Sequence, residues 1–354
     1  MNIAIITQPL GMNIGGILQN WALQKTLIAM GHNPVTINYR PVDAISLKDR
    51  LRIPARNVRT LLRRLNKRHD RFMKLGDTLP NRHNLDFIAD EINTTDRCDK
   101  YSVIDGCEAY ITGSDQVWRP RYNKGILADK FLEFTENTDC RRIAYAASFG
   151  TYEWEFDNEQ TQKCRQLLKK FHKVSVREDS GITLCRRYLD HDAELVADPT
   201  LLVGAADYLS LCGKIENCGH TVSYLLDIDS RKIGIARKTA ILTQSELIDL
   251  HPQRTSVRQW ISSIAGAGKV ITDSFHGTVF AIVFHRDFAV IPNLTRGNSR
   301  LMSLLNLTGL SDRIVKSDND IERILAAGID WNDVDQRLSE LRNVSLDFLN
   351  NALR

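Results

Sequence analysis

The stretch NIAIITQPLGMNIGGILQNWALQKTLIAMGHNPVTINYR, residues 2–40, decides the fold. Its first part, NIAIIT, is a short apolar run that predicts a buried strand, and PVTINYR at its end predicts a second strand. Between them, apolar residues recur near helical spacing and a glycine stands where a helix would end: Ile17, Trp21, Leu23, Leu27, Met30 and Gly31. A strand, a helix and a strand with glycines in the first turn are typical of doubly wound α/β folds.

Two adjacent glycines, Gly15 and Gly16, stand where this first helix begins. The free N–H groups of a helix N-terminus can bind an anion, and glycines let that anion approach the backbone closely. The spacing does not match the GxGxxG pattern of dinucleotide-binding proteins, so it gives no support for such a cofactor. The pair is therefore interpreted either as an anion site or as a plain tight turn.

Four further predicted strands end in polar residues. The strands are AYIT (109–112), RIAYAASFG (142–150), KVSVRE (173–178) and AELVADPTLL (193–202), and the polar residues are Ser114, Asp115, Ser148, Arg177, Glu178 and Asp198. Because ligands bind at the carboxyl edge of open α/β sheets, we expect a site there. The alternative for Arg177 is an ion pair with Glu178 or Asp179, and the alternative for Asp115 is an Asx turn.

The chain of 354 residues is long enough for two domains. The pattern of elements loosens after Pro199, which places a boundary near residues 204–218. The second set of predicted strands is TVSYLLD (221–227), TAILT (239–243), KVIT (269–272) and FAVIPN (288–293). We predict an N-terminal α/β domain at 1–203, a C-terminal α/β domain at 204–330 and a C-terminal helix at 331–354.

The segment KVITDSFHGTVFAIVFH, residues 269–285, predicts a strand, a turn and a helix. Asp273 or Ser274 is a natural N-cap, which places His276 and Gly277 in the first helical turn. The backbone N–H groups are free there and the helix dipole is positive, so the position suits a phosphate or a carboxylate. The alternative for His276 is a packed core histidine.

Two arginines, Arg296 and Arg300, lie in the loop that follows the next predicted strand. That loop should emerge at the same edge of the sheet as His276. Guanidinium groups bind phosphate and carboxylate through paired hydrogen bonds, so both side chains are candidate anion ligands. The alternative is a surface turn before a helix.

The composition is that of a soluble globular protein, with 43% apolar and 25% charged residues. No apolar run is long enough for a spanning helix, and the N-terminus predicts a strand and not a signal peptide. The seven cysteines show no CxxC or CxxxC spacing, which argues against a disulfide framework and a zinc site. We therefore expect a reducing compartment, the cytoplasm.

The stretch from residue 48 to 71 is strongly basic, with ten Lys or Arg residues and two acids. Apolar residues recur within it at helical spacing: Leu51, Ala55, Val58, Leu62 and Leu65. Either this is a solvated helix whose apolar stripe packs on the protein, or it is an amphipathic helix on the anionic inner face of a membrane. Nucleic acid is not expected as a partner, because no aromatic residues interleave with the basic ones.

Several segments occur in the order seen in the polysaccharide pyruvyl transferase family, which the chain resembles from about residue 3 to 310: GMNIGGILQNWAL, YITGSDQVWRP, YAASFG, SVRED, ADPTLL, ITDSFHGTVFAIVF and RGNSRLMSLL. The pair GSDQVW and DSFHGTVF is the most specific. The resemblance implies two Rossmann-like domains in a GT-B-like arrangement. It also implies transfer of a pyruvyl group from phosphoenolpyruvate to two hydroxyls of a sugar, in a cell-surface polysaccharide or its lipid-linked precursor, giving a ketal and phosphate.

Some relatives carry Arg-Leu-His where this chain has Ser274, Phe275 and His276, so another cation must replace that arginine. Arg177, Arg296 and Arg300 are the candidates. Under this reading His276 is a general acid or phosphate ligand, Asp115 is a base or hydroxyl anchor, and Arg177 is an anion clamp. The candidate substrate-binding residues are Ser274, Gly277, Thr278, Arg296, Ser299, Arg300, Asn13, Gly15, Gly16 and Gln19.

Phosphoenolpyruvate is the expected co-substrate, and no metal or other cofactor is expected, because arginines can neutralise its anions. The N-terminal domain is expected on the acceptor side and the C-terminal domain on the phosphoenolpyruvate side. Two other functions remain open from the sequence: a GT-B glycosyltransferase that uses a nucleotide sugar, and a non-catalytic carbohydrate-binding relative.

Overall fold

The protein is described by a computed structural model of residues 1–11, 13–40, 82–213, 215, 218–251, 254–293 and 297–354. The predicted basic helix at 48–71 and Arg296 lie outside the described residues. Within the described ranges, no helix combines the length and the apolar character needed to cross a membrane.

The first sheet consists, in the described part of the chain, of six parallel strands. They are β1 (Asn2–Ile6), β2 (Asn33–Thr36), β3 (Ala109–Thr112), β4 (Arg141–Ala147), β5 (Lys173–Val176) and β6 (Glu194–Leu195), in the order β2-β1-β3-β4-β5-β6. The connecting helices are α1 (Ile14–Ala29), α2 (Arg82–Glu91), α3 (Leu127–Lys130), α4 (Asn158–Leu168), α5 (Asp179–Leu189) and α6 (Ala205–Leu209), with 3-10 turns at Pro120–Tyr122, Glu133–Thr135 and Pro199–Leu201. Strand β3 is buried along its whole length, as expected for a parallel sheet covered on both faces.

The second sheet is smaller and also parallel. Its strands are β7 (Thr221–Tyr224), β8 (Leu247–Asp249), β9 (Lys269–Thr272) and β10 (Asp287–Val290), in the order β10-β9-β7-β8. Its helices are α7 (Ser230–Leu242), α8 (Val257–Ala265), α9 (Phe275–Val283), α10 (Ser299–Leu307), α11 (Asp320–Ala326) and α12 (Trp331–Leu353), with a 3-10 turn at Ser311–Arg313. The first sheet ends at Leu195 and the second begins at Thr221, on either side of the predicted boundary.

Each sheet has a point where the strand order reverses, between β1 and β3 in the first and between β7 and β9 in the second. At such a point the connections that follow the two neighbouring strands lead to opposite sides. This leaves a crevice beyond the carboxyl ends of the strands. The segments that follow β1, β3, β7 and β9 line one common cavity, so the two crevices face each other.

One apolar cluster extends through both domains and joins them. The ring of Tyr208 lies 5.3 Å from that of Trp21 in α1 and 4.6 Å from that of Phe280 in α9. The long helix α12 returns to the first domain, where Ser345 Oγ accepts a 2.8 Å hydrogen bond from the Ala197 N–H and Phe348 packs near Tyr145. The predicted fold class is thereby confirmed: two Rossmann-like α/β domains in a GT-B-like arrangement with a C-terminal helix.

The predicted strand TAILT at 239–243 is wrong, because these residues form the end of helix α7 and the residue that follows it. The Asp229 side chain caps this helix by accepting from the Lys232 N–H at 2.8 Å. The hydroxyls of Thr239 and Thr243 donate to backbone carbonyls one turn earlier, at 2.9 Å each. These hydrogen bonds help to accommodate β-branched residues in the helix. The strand of this region is β8, which begins at Leu247, four residues after the end of the predicted strand.

Candidate active site

A cavity of about 660 Å³ lies at the carboxyl edges of both sheets. Its size is typical of small-molecule sites in proteins. Segments after β1, β3, β7, β8, β9 and β10 contribute to it: Gln8, Asn13, Asp115, Gln116, Tyr122, Tyr224, Leu226, Ile228, His251, Ser274, Phe275, His276 and Arg300. Both domains therefore build the cavity.

Helix α9 begins at the cavity, and Ser274 is its N-cap. The Ser274 Oγ accepts a hydrogen bond from the Gly277 N–H at 3.3 Å. The other candidate cap, Asp273, instead accepts from the Leu226 and Asp227 N–H groups and from Lys232 Nζ, at 2.6, 3.2 and 2.8 Å. Asp273 thus ties the end of β9 to the end of β7 and fixes the start of α9.

His276 lies in the first turn of α9 and is only 6% exposed. Its ring rests on Gly15 of the opposite domain, where a Cβ atom would stand 2.0 Å from the His276 Nδ1. The His276 Nε2 has no hydrogen-bond partner and lies 3.8 Å from Asp198 Oδ2. Burial lowers the pKa of His276 to about 4, with a smaller contribution from Arg177. The imidazole is therefore neutral at neutral pH.

Asp115 and Asp198 flank the buried guanidinium of Arg177, which contacts them at 3.1 and 2.5 Å. Burial by itself would raise the pKa of both carboxyls, but Arg177, together with the other nearby cations and hydrogen bonds, outweighs it, lowering that of Asp115 and holding that of Asp198 at about 2. Both groups are therefore carboxylates at neutral pH. The left-handed backbone of Asp115, with φ of 66°, directs its carboxylate to this position.

Arg177 does not line the cavity, although the sequence marked it as an anion clamp. Its side chain is 0% exposed, and its charge is already compensated by the two carboxylates. The neighbouring Glu178, the expected structural partner, instead accepts from Ser148 Oγ and the Phe149 and Gly150 N–H groups. These contacts favour a positioning role for Arg177 over direct anion binding.

Arg300 does line the cavity, in the first turn of α10. Its Nη1 lies 3.8 Å from Asp115 Oδ1, and its Nε has no hydrogen-bond partner. Burial, with repulsion from Arg177, lowers the pKa of Arg300 to about 10, which leaves it charged at neutral pH. Its neighbour Ser299 is fully buried and its Oγ is also without a partner. A buried cation with so little compensation suits an anionic ligand.

The start of α1 forms the opposite wall. Asn13 Nδ2 donates to Asp115 Oδ2 at 3.2 Å, and Gly16 lies beside the same carboxylate. Gln19, predicted to bind substrate, is fully buried outside the cavity lining and bonds to Thr7 Oγ1, the Gly16 carbonyl and the Ser114 N–H. It therefore joins the ends of β1 and β3 behind the site.

Two further candidates on α9, Gly277 and Thr278, are buried behind its N-terminus and do not line the cavity. Thr278 Oγ1 donates to the Ser274 carbonyl at 3.0 Å. A Cβ at Gly277 would stand 2.3 Å from Thr272 Oγ1, so glycine allows α9 to pack against the end of β9. Both residues shape the helix start.

The sequence placed Asp198 among the polar residues at the expected site but gave it no role, and it did not single out Phe275. The role of Asp198 depends on its ion pair with Arg177, which only the folded structure shows. Phe275 gave no signal, because a phenylalanine before an apolar run is typical of a core residue. Its ring lies 4.9 Å from the Arg177 guanidinium carbon and 5.6 Å from that of Arg300, and so separates the two cations.

Solved structures of similar overall fold include UGT89C1 of Arabidopsis thaliana complexed with UDP-L-rhamnose, at 9% identity over 98% of this chain and 94% of that chain, with a TM-score of 0.49. The spinosyn rhamnosyltransferase SpnG complexed with thymidine diphosphate matches at 10% identity over 100% of both chains, with a TM-score of 0.47. MurG of Acinetobacter baumannii matches at 9% identity over 97% of this chain and 94% of that chain, with a TM-score of 0.43. These likenesses carry no argument about function.

No curated protein matches the chain. The family model for polysaccharide pyruvyl transferase matches residues 13–295. That range begins at Asn13 and includes Asp115, Asp198 and His276, and it covers most of the chain. The protein therefore belongs to the polysaccharide pyruvyl transferase family.

Proposed function

We propose that the protein transfers the pyruvyl group of phosphoenolpyruvate to two hydroxyls of one sugar. C3 of the donor takes up a proton, two sugar oxygens bond to C2, and the C2–O bond to phosphate breaks. The two hydroxyl protons balance the proton given to C3 and the one that leaves on hydrogen phosphate. The products are a pyruvate ketal of the sugar and phosphate. The observation that carries this proposal is the convergence of Arg300, His276 and Asp115 on one cavity.

The donor carries a carboxylate and a phosphate, and its binding site needs positive charge. Arg300 is the charged cation that faces the cavity among the described residues. The N-termini of α9 and α10 add free backbone N–H groups close to it. We assign donor binding to Arg300, Ser299 and the start of α9, and Arg296 stays a further candidate from the sequence.

His276 is the proposed general acid. With a pKa of about 4 it holds no proton in the free protein at neutral pH. Two donor anions beside the ring would raise that pKa, because an opposite charge favours the protonated imidazole. The Asp198 carboxylate, 3.8 Å from Nε2, acts in the same direction. Donor binding would thus favour the protonated form of His276, which then donates the proton that C3 requires.

Asp115 is the proposed anchor and base for the acceptor hydroxyl. Its pKa is lowered chiefly by Arg177, against the opposing effect of burial, so it is ionised at neutral pH. Arg177 and Asn13 hold its two oxygens at 3.1 and 3.2 Å and fix its orientation. A fixed carboxylate at the cavity wall can accept a proton from a sugar hydroxyl.

Phosphate release from phosphoenolpyruvate in the presence of a galactose-bearing acceptor tests this function. A parallel arm offers nucleotide sugars with the same acceptor, and mass spectrometry identifies the product. We expect a product heavier by one pyruvate ketal and one phosphate released per ketal. Transfer of a sugar from the nucleotide donor would indicate a glycosyltransferase, and no product with either donor would indicate a binding protein.

We further propose that the acceptor is linked to a lipid diphosphate carrier and that the protein works at the cytoplasmic face of the membrane. The support is the sequence of residues 48–71, with ten basic side chains and an apolar stripe. Wild type should sediment with anionic vesicles at low salt and be released at high salt. Charge reversal at Arg59, Arg63, Arg64 and Lys67 should prevent sedimentation, and wild type remaining in the supernatant would refute membrane binding.

A further inference from the structure

The cavity changes its chemical character along the second sheet. In the strand order β10-β9-β7-β8, the segments after the strands supply Arg300, then Ser274 to His276, then Tyr224 to Ile228, and last His251. Neighbouring strands lie about 4.8 Å apart, so this edge extends over about 14 Å. Arg300, His276 and the facing Asp115 form the charged end of the cavity. Tyr224, Leu226, Ile228 and His251 form its neutral end.

The neutral end combines apolar surface with hydrogen-bonding groups. Among the described residues that line it, none carries a carboxylate, an ammonium or a guanidinium group. Ile228 is 52% exposed, a large exposed fraction for an isoleucine that lines a cavity. Leu226 beside it is anchored, because its N–H donates to Asp273 at 2.6 Å. The apolar surface is thus held in a fixed place next to α9.

We propose that the neutral end binds a neutral sugar ring of the acceptor, with one apolar ring face over Leu226 and Ile228 and its hydroxyls towards Tyr224 and His251. A sugar ring offers C–H groups on one face and hydroxyls on its rim, and these match aliphatic side chains and polar tips respectively. The proposal rests on the proposed function, and it places the acceptor ring on the second domain, whereas the sequence led us to expect the acceptor on the first domain.

The donor does not fit the neutral end. Phosphoenolpyruvate carries two anionic groups, and aliphatic side chains without a cation would strip them of water without compensation. The cavity of about 660 Å³ leaves space beyond the charged end for a second, larger substrate. A sugar at the neutral end would lie next to the start of α9 and His276, because β7 and β9 are neighbours in the sheet, and a transfer requires the two substrates to be adjacent.

Ile228→Asp tests the proposal, because it places a negative charge on the apolar surface of the neutral end. Ile228 is half-exposed, so the change leaves the core untouched. Ile241→Asp is the matched control, since Ile241 is 76% exposed on α7 and does not line the cavity. Ile228→Ala is a second variant that removes apolar area without adding charge.

Saturation-transfer NMR measures the binding of 4-nitrophenyl β-galactoside, β-glucoside and β-glucuronide to each full-length variant. At least one neutral hexoside should bind wild type and Ile241→Asp alike, with the anionic glucuronide weaker. Ile228→Asp should weaken hexoside binding by about tenfold or more, because the sugar would have to displace water from the new carboxylate, and Ile228→Ala should weaken it by less. The affinity for phosphoenolpyruvate, from calorimetry, should change less than about twofold, because the altered group is not at the charged end.

The proposal is overturned if wild type binds no hexoside, if Ile228→Asp binds it as wild type does, or if that variant loses phosphoenolpyruvate instead. Failure of the proposed function has a different signature. There the hexoside would bind and depend on Ile228, yet phosphoenolpyruvate would release no phosphate.

Discussion

The two ends of the cavity differ in how they are built. At the charged end, Asp115 comes from the first domain and His276 and Arg300 from the second, and all three are less than a tenth exposed. Tyr224, Leu226, Ile228 and His251, which define the neutral end, come from the second domain, and Ile228 is half-exposed, while Gln8, Gln116 and Tyr122 of the first domain also line the cavity. The difference indicates that the reactive groups depend on partners from both domains to stay fixed and desolvated, while the apolar surface of Leu226 and Ile228 is built by the second domain.

The largest expected effect is that of His276→Asn, which removes the general acid. We expect kcat to fall by about 10²–10⁴-fold, since positioned acids contribute that much. Steady-state phosphate release with saturating substrates measures it. The control is His285→Asn, because His285 is an exposed histidine on the same segment whose Nε2 contacts Asp335 at 2.9 Å.

Retention of more than about a tenth of kcat by His276→Asn would contradict a general-acid role, given the usual size of that contribution. Circular dichroism melts of both variants show whether the fold survives. His285→Asn should keep wild-type kcat, since asparagine tolerates the left-handed backbone of that residue, with φ of 51°.

Gly15→Ala should lower kcat nearly as much as His276→Asn does, because it disrupts the contact between the two domains at the charged end. The new methyl group would stand 2.0 Å from the His276 Nδ1, so the imidazole or the whole domain must shift. We expect kcat to fall by about 10²-fold from this misplacement. Gly234→Ala in α7 is the control, since its methyl group meets nothing within 4 Å and should stabilise the helix.

If Gly15→Ala keeps wild-type activity, the tight approach of α1 to His276 is not needed for catalysis. Hexoside binding at the neutral end provides a second readout. It should survive Gly15→Ala better than phosphate release does, because Tyr224, Leu226, Ile228 and His251 all belong to the second domain.

A smaller effect is expected from Arg300→Ala, which removes the cation that faces the cavity. The KM for phosphoenolpyruvate should rise by about 10–100-fold, in keeping with the loss of charge-assisted hydrogen bonds, and the KM for the acceptor should change little. Arg231→Ala is the control, because Arg231 forms an exposed ion pair with Asp318. An increase in the acceptor KM alone would contradict this assignment and indicate that Arg300 binds the acceptor.

The smallest effect is on the pH dependence of stability. Burial lowers the pKa of His276 to about 4 from its usual 6.5, so the unfolded chain binds a proton between these pH values and the folded protein does not. This contribution to stability is complete above pH 6.5 and is lost as the pH falls towards 4. Urea unfolding of wild type should show this loss, and His276→Asn should show a shallower one. Equal slopes would contradict the buried neutral state of His276.

Local sequence patterns predicted most helices and strands. They failed where the same residues suit both a strand and a helix. The run around TAILT is β-branched and apolar, which favours a strand. The Asp229 cap and the packing of Ile235 and Ala236 on the second sheet extend α7 through it instead. Whether these residues form a helix or a strand thus depends on their packing against the second sheet. A short stretch of sequence does not contain that information.

The two arginines illustrate the same limit within the site. Arg177 and Arg300 both follow predicted strands and looked equivalent as anion ligands. In the folded protein Asp115 and Asp198 form ion pairs with the guanidinium of Arg177. Arg300 instead lines the cavity, and its Nε has no hydrogen-bond partner. Asp198 lies 21 residues from Arg177 in the chain, so the pairing requires β5 and β6 to lie side by side.

The sequence by itself determined the α/β class, the approximate starts of α1 near Gly15 and of α9 after Asp273 or Ser274, and the placement of polar residues after the strands. These features follow from periodicity, capping and turn chemistry, which act over a few residues. Only the tertiary structure decided that the His276 ring lies on Gly15, that Arg300 faces the cavity and Arg177 does not, and that charged and neutral residues separate along the second sheet. These outcomes depend on the order of strands and on the packing of one domain against the other, and both are set by contacts between residues far apart in the chain.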